Sequence, residues 1–283
     1  MSTMTASMTI EPLSPVLGAR IRGLDLGRPV EPDVKARIAE AFQRFSVLCF
    51  AGQCITEDDQ IRFAAMFGKA DASAAPVTFA DGEKRPKRGV MFISNLRENG
   101  ELVGALPDGE LHFHSDGAHR ASPYRATTLY AIKLPSRGGE TKFANMHSAY
   151  DTLPAALKVK LEGRSARYVY DARATLREQT DETDDTLSTA VHPIIRVHPQ
   201  SGRRSLYLSR LMTRNIIGLE RAESDALLEQ VFQHIEQPEF VYAHSWALSD
   251  LLIWDNRSVN HARNDFPASE ERHLRRVTVS DPE

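Results

Sequence analysis

The sequence predicts a β-rich α+β fold in which helices pack outside a core of strands. Three observations support this prediction. The 283 residues are 41% hydrophobic, which is enough for one sizeable core. The second half is dominated by short apolar segments of strand length, separated by turn residues. Helical patterns are few, and they lie mainly between the strands. We therefore expect one domain over residues 1–283, with strands at its centre.

Apolar periodicity defines the elements of the first half. Alternating apolar residues predict a half-buried strand at 19–26, and an unbroken apolar run predicts a buried strand at 47–50. Between them, residues 34–42 carry apolar side chains at helical spacing. A second helix is expected to begin after Thr56, because a threonine followed by acidic residues is typical of a helix N-terminus. Gly68 is expected to end it.

Residues 69–110 are rich in glycine, proline and charged residues, so we expect long loops around one short strand at 90–93. The basic run 83–88 within this stretch is typical of a solvated loop. Two strands are predicted next, at 124–134 and 141–144. A glycine pair between them provides the turn.

The second half contains most of the predicted strands. Helices are expected over 148–162, broken at Pro154. The polar, acidic stretch 171–190 is either a flexible lid or an ordinary solvated loop. A hairpin over 194–208 and an amphipathic helix over 222–235 follow. The remaining predicted strands are 240–246, 251–254 and 274–279.

Composition limits the class of partner. The net charge is −3 and the pI is near 6.4, which argues against nucleic acid or an anionic membrane as the main partner. The two cysteines, Cys49 and Cys54, are too few for a disulfide scaffold. The N-terminal residues lack the basic start and apolar stretch of a signal peptide, and no apolar run is long enough to span a membrane. We expect a cytoplasmic protein.

The pair His114 and Asp116 carries the first chemical signal. Side chains two positions apart in a strand point to the same face. With His261 from a distant strand, they could hold one face of a ferrous ion and leave the other face open for oxygen chemistry. Alone, the pair is weak evidence, because a hydrogen-bonded histidine is the simpler explanation. His112 could replace His114, stand behind it or be a plain exposed residue, and we expect both His112 and His119 to be bystanders.

Two arginines follow at a fixed distance. Arg272 comes eleven residues after His261, and Arg276 lies four further on. In a strand both would point inward beside the metal, where a guanidinium could grip a dicarboxylate. Ordinary surface salt bridges with neighbouring acidic residues are the alternative explanation on spacing alone.

Several motifs in the same order resemble the TauD/TfdA group of Fe(II)- and 2-oxoglutarate-dependent dioxygenases, and the resemblance covers nearly the whole chain. The matching segments are Leu17–Leu26, His114-Ser115-Asp116, Gly138-Gly139-Glu140-Thr141, His198–Arg203, Trp254–Arg257 with His261, and Arg272–Arg276. The resemblance implies a double-stranded β-helix, or jelly roll, surrounded by helices. It also implies a homo-oligomer, because relatives are often dimers or tetramers.

The resemblance also implies roles for single residues. His114, Asp116 and His261 would bind iron. Thr141 and Arg272 would bind the far carboxylate of 2-oxoglutarate, and Arg276 would face an anionic substrate. The reaction would consume O2, convert 2-oxoglutarate to succinate and CO2, and hydroxylate a substrate C–H bond.

Departures from the family pattern concern the substrate rather than the iron. Phe113 stands where relatives usually carry tryptophan, and Glu110 stands where several have asparagine near the substrate. No histidine follows Phe67-Gly68, where taurine enzymes have one that helps to hold a sulfonate. The segment 272–279 looks more like phenoxyacetate-type enzymes. We therefore expect a small carboxylate such as an aryloxyalkanoate, with a sulfonate or alkyl sulfate as the alternative.

Two functions of other classes fit the same ligand set. Two histidines and an aspartate also suit a zinc hydrolase, although that leaves Arg272 and Thr141 unexplained and no separate general base is evident. A binding protein that has lost turnover is the third possibility.

Overall fold

The computed structural model describes residues 8–71, 89–106, 108–171, 174–180, 184 and 186–281. The basic run 83–88 lies outside the described residues. The helices are α1 Pro32–Phe45, α2 Glu57–Ala64, α3 Met146–Thr152, α4 Ala155–Leu161 and α5 Arg221–Ile235. The strands are β1 Thr9–Pro12, β2 Ala19–Arg22, β3 Val47–Phe50, β4 Lys69–Ala70, β5 Val90–Ser94, β6 Arg97–Glu98, β7 Glu101–Leu102, β8 Leu111–His114, β9 Ala126–Lys133, β10 Thr141–Asn145, β11 Ser165–Tyr170, β12 Ser188–Pro193, β13 Ile195–Val197, β14 Arg204–Leu206, β15 Thr213–Ile216, β16 Val241–His244, β17 Leu251–Asp255, β18 Val259–Arg263 and β19 His273–Ser280.

Two sheets dominate this mixed α/β architecture. The larger has the order β1-β2-β3-β17-β9-β19-β4, with β5 also paired to β19, and every pairing except β2–β3 is antiparallel. The smaller has the order β16-β10-β18-β8 and is antiparallel throughout. A three-stranded sheet, β12-β11-β15, and two short hairpins, β13-β14 and β6-β7, complete the pairing.

A buried apolar cluster joins the two main sheets. The larger sheet contributes Val47, Leu252 and Trp254, and the smaller contributes Phe143 and Val259. All five side chains are at most 1% exposed. The two sheets therefore share one core, and polar side chains that enter the space between them are shielded from water.

The helices cover the outer faces of this core. Helix α2 begins with a capping box between Thr56 and Asp59, as its sequence predicts. The chain breaks between α3 and α4 at Pro154, also as predicted. Helix α5 buries Leu228, Val231 and Phe232, among others, in a second cluster. Among the described residues, no helix is apolar and long enough to cross a bilayer.

Several strands carry no sequence signal. Strand β12 begins at Ser188, so the loop prediction for 171–190 is wrong at its end; most β12 side chains are exposed, which removes the apolar alternation. Within the same stretch, residues 177–179 form one turn of 3-10 helix. Strands β1, β11 and β15 were also not predicted. Pairing with neighbouring strands, rather than a periodicity of their own, maintains them.

Candidate active site

Strand register brings the two predicted histidine ligands together. Strand β8 ends at His114, and β18 runs antiparallel beside it with His261 directly opposite. The two ring centroids are 4.0 Å apart. Residues directly opposite each other in such a pair have neighbouring side chains, so the sheet itself sets this distance.

Asp116 completes the group, although the strand does not position it. It lies in the turn after β8, so the prediction from strand alternation is wrong here. Its Oδ1 is 3.9 Å from Nε2 of His114, and its Oδ2 is 3.7 Å from Nε2 of His261. Thr127 on β9 fixes the carboxylate by donating a hydrogen bond to Oδ2 at 2.7 Å, and Asn256 donates to Thr127 in turn.

The three side chains have the protonation that a divalent metal requires. Nδ1 of His114 lies 2.9 Å from the carbonyl oxygen of His112, which can only accept, so Nδ1 carries the proton and Nε2 is free. Burial lowers the pKa of His114. Burial and the neighbouring charge of His114 together lower the pKa of His261 to about 3. Burial would raise the pKa of Asp116, but Arg276 and the two histidines hold it below its usual range.

Two neutral imidazoles and one carboxylate, all at most 8% exposed, thus place their ligand atoms within 4.8 Å of one another. This donor set suits a facial site for Fe(II). The residues present therefore fit the metal that the sequence implies.

A second group of buried ligand-type side chains contains Cys49, His244 and Asp250. His244 already has partners for both ring nitrogens, the hydroxyl of Tyr242 at 2.9 Å and the carboxylate of Asp250 at 3.3 Å. Burial raises the pKa of the Cys49 thiol to about 12. We interpret this group as a hydrogen-bonded cluster, because a thiol that resists ionisation is a poor metal ligand.

Next to the His-Asp-His group lies a cavity lined by Thr141 and Arg272. Arg272 is 2% exposed, and its Nε and Nη2 donate to the carbonyl oxygen of Gly139 at 3.3 and 3.1 Å. Burial is the main cause that lowers the pKa of Arg272 to about 9, and the charge of Arg263 is the second. No carboxylate of the described residues forms an ion pair with it. A buried cation in that position is complementary to an anion entering the cavity.

Arg276 borders both this cavity and a second one, which is also lined by His114 and Asp116. Its Nη1 donates to Oδ1 of Asp116 at 3.1 Å, and its Nη2 lies 3.0 Å from Sδ of Met91. The second cavity is otherwise lined mainly by aromatic and apolar side chains: Met91, Leu106, Leu111, His119, Tyr124, Tyr170, Leu211 and Met212. An anion held by Arg276 would therefore lie beside the metal ligands, with an apolar space for its body.

Three further predictions have an outcome here. His112 is not part of the ligand group and acts through its carbonyl oxygen. Glu110 lies 3.7 Å from the ammonium group of Lys142. His119 also lies outside the ligand group; its ring lines the second cavity and stacks on Tyr170 with centroids 4.7 Å apart.

Sequence reasoning also missed three residues that shape the site. Thr127 fixes Asp116, Trp246 donates to the hydroxyl of Thr141 at 3.0 Å, and Arg263 lines the first cavity. Arg263 stands two residues after His261 on the same strand, so strand alternation could have identified it. The other two depend on pairings between distant strands and have no local signal.

Comparison with known proteins gives a consistent result. The model of the "Taurine catabolism dioxygenase TauD, TfdA family" matches residues 9–278. The chain is 33% identical to the alpha-ketoglutarate-dependent 2,4-dichlorophenoxyacetate dioxygenase of Cupriavidus pinatubonensis, over 97% of this chain and 98% of that protein. It is 29% identical to an alpha-ketoglutarate-dependent sulfate ester dioxygenase of Pseudomonas putida, over 96% and 89%.

Among solved structures, the chain resembles AAD-2 in complex with Mn(II) and N-oxalylglycine. The TM-score is 0.82 at 30% sequence identity, and the match covers 98% of each chain.

Proposed function

The chain belongs to the TauD, TfdA family of dioxygenases, and from this premise we propose that it hydroxylates a small aryloxyalkanoate carboxylate held by Arg276. It is an Fe(II)- and 2-oxoglutarate-dependent non-haem dioxygenase that acts on a small anionic organic substrate. The observation that carries the substrate proposal is the position of the Arg276 guanidinium, 3.1 Å from Asp116 and at the edge of a largely apolar cavity.

His114, Asp116 and His261 would hold the iron. Bound Fe(II), 2-oxoglutarate and O2 together supply the oxidation that replaces a substrate hydrogen by hydroxyl, with succinate and CO2 as co-products. The protein binds, orients and shields the reactants. Thr127 and the carbonyl of His112 keep Asp116 and His114 in the orientation that ligation needs.

The first cavity would hold 2-oxoglutarate. Arg272 offers a buried forked cation for the far carboxylate, and the hydroxyl of Thr141 offers a second donor. Leu129 and Trp254 line the same space, which keeps water away from the ion pair and strengthens it.

The second cavity would hold the substrate. Its carboxylate would pair with Arg276, which leaves the aryl group against the side chains of Tyr170, Leu211 and Met212. Hydroxylation next to the ether oxygen gives a hemiacetal, which collapses to a phenol and an oxoacid.

A sulfonate or alkyl sulfate ester is the second candidate, favoured by the similarity to the sulfate ester dioxygenase of Pseudomonas putida. A single guanidinium can hold either anion. The absence of a histidine after Phe67-Gly68, where taurine enzymes have one, favours the carboxylate.

We further propose that residues 1–283 form a single domain whose two facing sheets are a double-stranded β-helix; the core shared by the two sheets supports this.

The free thiols of Cys49 and Cys54 are consistent with a location in the cytoplasm. A homo-oligomer without nucleic-acid or membrane partners is also proposed, and light scattering together with size-exclusion chromatography tests it.

An anaerobic absorbance titration tests the reaction and the substrate class together. Fe(II), then 2-oxoglutarate, then phenoxyacetate or an alkyl sulfate are added in turn. We expect a visible charge-transfer band with 2-oxoglutarate, which shifts with phenoxyacetate. A shift with the alkyl sulfate alone would favour the second candidate. No band, with zinc bound tightly instead, would favour a hydrolase or a binding protein.

The Arg272→Ala variant separates the co-substrate role from the metal site. The variant should bind metal as the wild type does, because the three metal ligands are unchanged. It should lose the 2-oxoglutarate band, because the far carboxylate of 2-oxoglutarate loses its cationic partner. Turnover that survives this change unaltered would contradict the assignment of Arg272.

A further inference from the structure

Arg263 is a buried guanidinium whose hydrogen bonds all go to the backbone of one segment. Its Nη1 donates to the carbonyl of Leu106 at 2.7 Å, and its Nη2 donates to those of Asp108 and Gly109 at 2.7 and 2.8 Å. Nε donates to Gly109 as well, at 3.2 Å. The residue is 4% exposed, although it carries a full charge. Arg263 therefore ties this segment to β18, two residues after His261.

The segment that Arg263 holds contains an unfavourable backbone conformation. Leu106 has a φ of +52°, and a left-handed conformation costs a residue with a branched side chain about 1–2 kcal/mol. The chain just before it is anchored, because the amide of Ala105 donates to the carbonyl of Phe92 at 2.9 Å. Arg263 supplies the hydrogen bond that holds Leu106 itself. Without it, the chain is free to relax to an ordinary conformation.

Leu106 is the side chain that this conformation places in the site. It lines the co-substrate cavity together with Arg263 and Arg272, and it also lines the substrate cavity. Leu111, a few residues later at the start of β8, lines both as well. The positions of Leu106 and Leu111 thus shape a wall that the two cavities share.

The charge of Arg263 adds a second effect. Arg263 and Arg272 lie against the same ring, Phe266, with guanidinium carbons 5.5 and 5.8 Å from its centroid. The charge of Arg263 also contributes to the lowered pKa of Arg272, after burial. The two buried cations repel each other, and a doubly charged anion in the cavity would offset that repulsion.

We propose that Arg263 is a positioning residue for 2-oxoglutarate: it holds Leu106, Asp108 and Gly109, so that Leu106 stays in the wall of the co-substrate cavity, and it adds positive charge near Arg272. This inference rests on the proposed function of the cavity. Arg263 makes no contact with the reacting atoms in this scheme, and its effect should appear in 2-oxoglutarate binding rather than in the chemical step.

Arg263→Lys is the informative variant, because it keeps the charge and loses the fork that reaches several carbonyls at once. Arg275→Lys is the matched control. Arg275 is also buried, at 7% exposure, and its Nη2 donates to the carbonyls of Ile55 and Thr56 at 3.0 Å, in a loop away from both cavities. Both variants should lose similar stability, so a difference between them in binding reports on the cavity.

Two measurements are made on the Mn(II)-loaded, full-length protein. Calorimetric titration gives the dissociation constant of 2-oxoglutarate, and amide hydrogen exchange reports on the segment 106–114. We expect Arg263→Lys to weaken binding about tenfold and to speed exchange in that segment, since several hydrogen bonds to a charged group are lost. Arg275→Lys should change the dissociation constant less than about twofold, because its partners lie outside the cavity.

The possible results separate the two proposals. Wild-type protein that fails to bind 2-oxoglutarate overturns the function of the cavity and this inference with it. Wild-type binding that Arg263→Lys does not weaken overturns the role of Arg263 alone. Weakened binding with unchanged exchange in the segment overturns the positioning role, because the lysine variant keeps the charge and the segment has not loosened.

Discussion

The indole Nε1 of Trp246 donates a hydrogen bond to the hydroxyl oxygen of Thr141 across 3.0 Å. A hydroxyl that accepts in this way still has its own proton to donate. Thr141 lines the cavity proposed for 2-oxoglutarate, beside Arg272. Trp246, in the segment after β16, would therefore direct the donor of Thr141 toward a co-substrate in this cavity, although Trp246 does not line the cavity itself.

The first prediction follows from that hydrogen bond. Trp246→Phe should raise the dissociation constant of 2-oxoglutarate about three- to tenfold, the effect of one neutral hydrogen bond. The turnover number should change little, because Trp246 does not contact the substrate. Calorimetry on the Mn(II)-loaded protein measures the first quantity and succinate formation the second. In a Thr141→Val background the same change should have no further effect, and fully additive losses would contradict the proposed relay.

The second prediction concerns substrate binding. Arg276→Met should raise the KM for phenoxyacetate about 100-fold, because an ion pair in a partly buried cavity is lost. The dissociation constant of 2-oxoglutarate should stay within about twofold, since Arg272 still holds its far carboxylate. Metal affinity serves as the control, because Arg276 also contacts Asp116. Equal losses for substrate and co-substrate would contradict separate roles for the two arginines.

The third prediction concerns Gly139, which has a φ of +71°. A Cβ added there would lie 3.0 Å from Nε and 3.2 Å from Cδ of Arg272, so Gly139→Ala should displace that side chain and weaken 2-oxoglutarate binding. Gly163→Ala is the matched control, because Gly163 has a φ of +70° and open space around the added atom. Each change should cost about 1 kcal/mol in the free energy of unfolding through backbone strain.

Only Gly139→Ala should alter the calorimetric titration with 2-oxoglutarate. If both alanine variants weaken binding equally, backbone strain rather than the contact with Arg272 is responsible.

The candidate site was more predictable from the sequence than the packing around it. His114, His261 and Arg272 belong to motifs with fixed spacing, because a metal and a co-substrate at this site would restrict the residue types that can serve. Asp116 was predicted for the wrong reason: a turn and the hydroxyl of Thr127 position it, rather than strand alternation. The sequence therefore predicted which residues form the candidate site, but it did not predict the backbone conformation at Asp116.

Residues that support the site from distant strands could not be predicted. Trp246 reaches Thr141 because β16 pairs with β10 in a register that sets Thr141 opposite His244. That register joins two strands far apart in the sequence, and neither strand alone reveals its partner. Strand β12 was missed for a related reason, since its exposed side chains have no apolar alternation. Tertiary contacts decide such elements.

The fourth prediction concerns stability and pH. Asp255 is 3% exposed; it accepts hydrogen bonds from Nε2 of His198 at 2.8 Å and from the backbone and side chain of Arg257. Burial would raise the pKa of Asp255, but these partners outweigh it and lower the pKa from 3.8 to about 2. A carboxyl group with a lowered pKa stabilises the fold above its unfolded pKa, and this contribution is lost as the pH falls toward the folded value.

Asp255→Asn should therefore lower the free energy of unfolding by about 3 kcal/mol at pH 7, because the buried Arg257 guanidinium loses this carboxylate. The difference from wild type should shrink by about 2 kcal/mol between pH 4 and pH 2, where the wild-type carboxylate takes up its proton. Urea unfolding at a series of pH values measures both. Asp151→Asn is the control, since its pair with Arg203 is about half exposed and should contribute less than about 1 kcal/mol at any pH. A difference between Asp255→Asn and wild type that stays constant down to pH 2 would show that shape, and not ionisation, determines the contribution of Asp255.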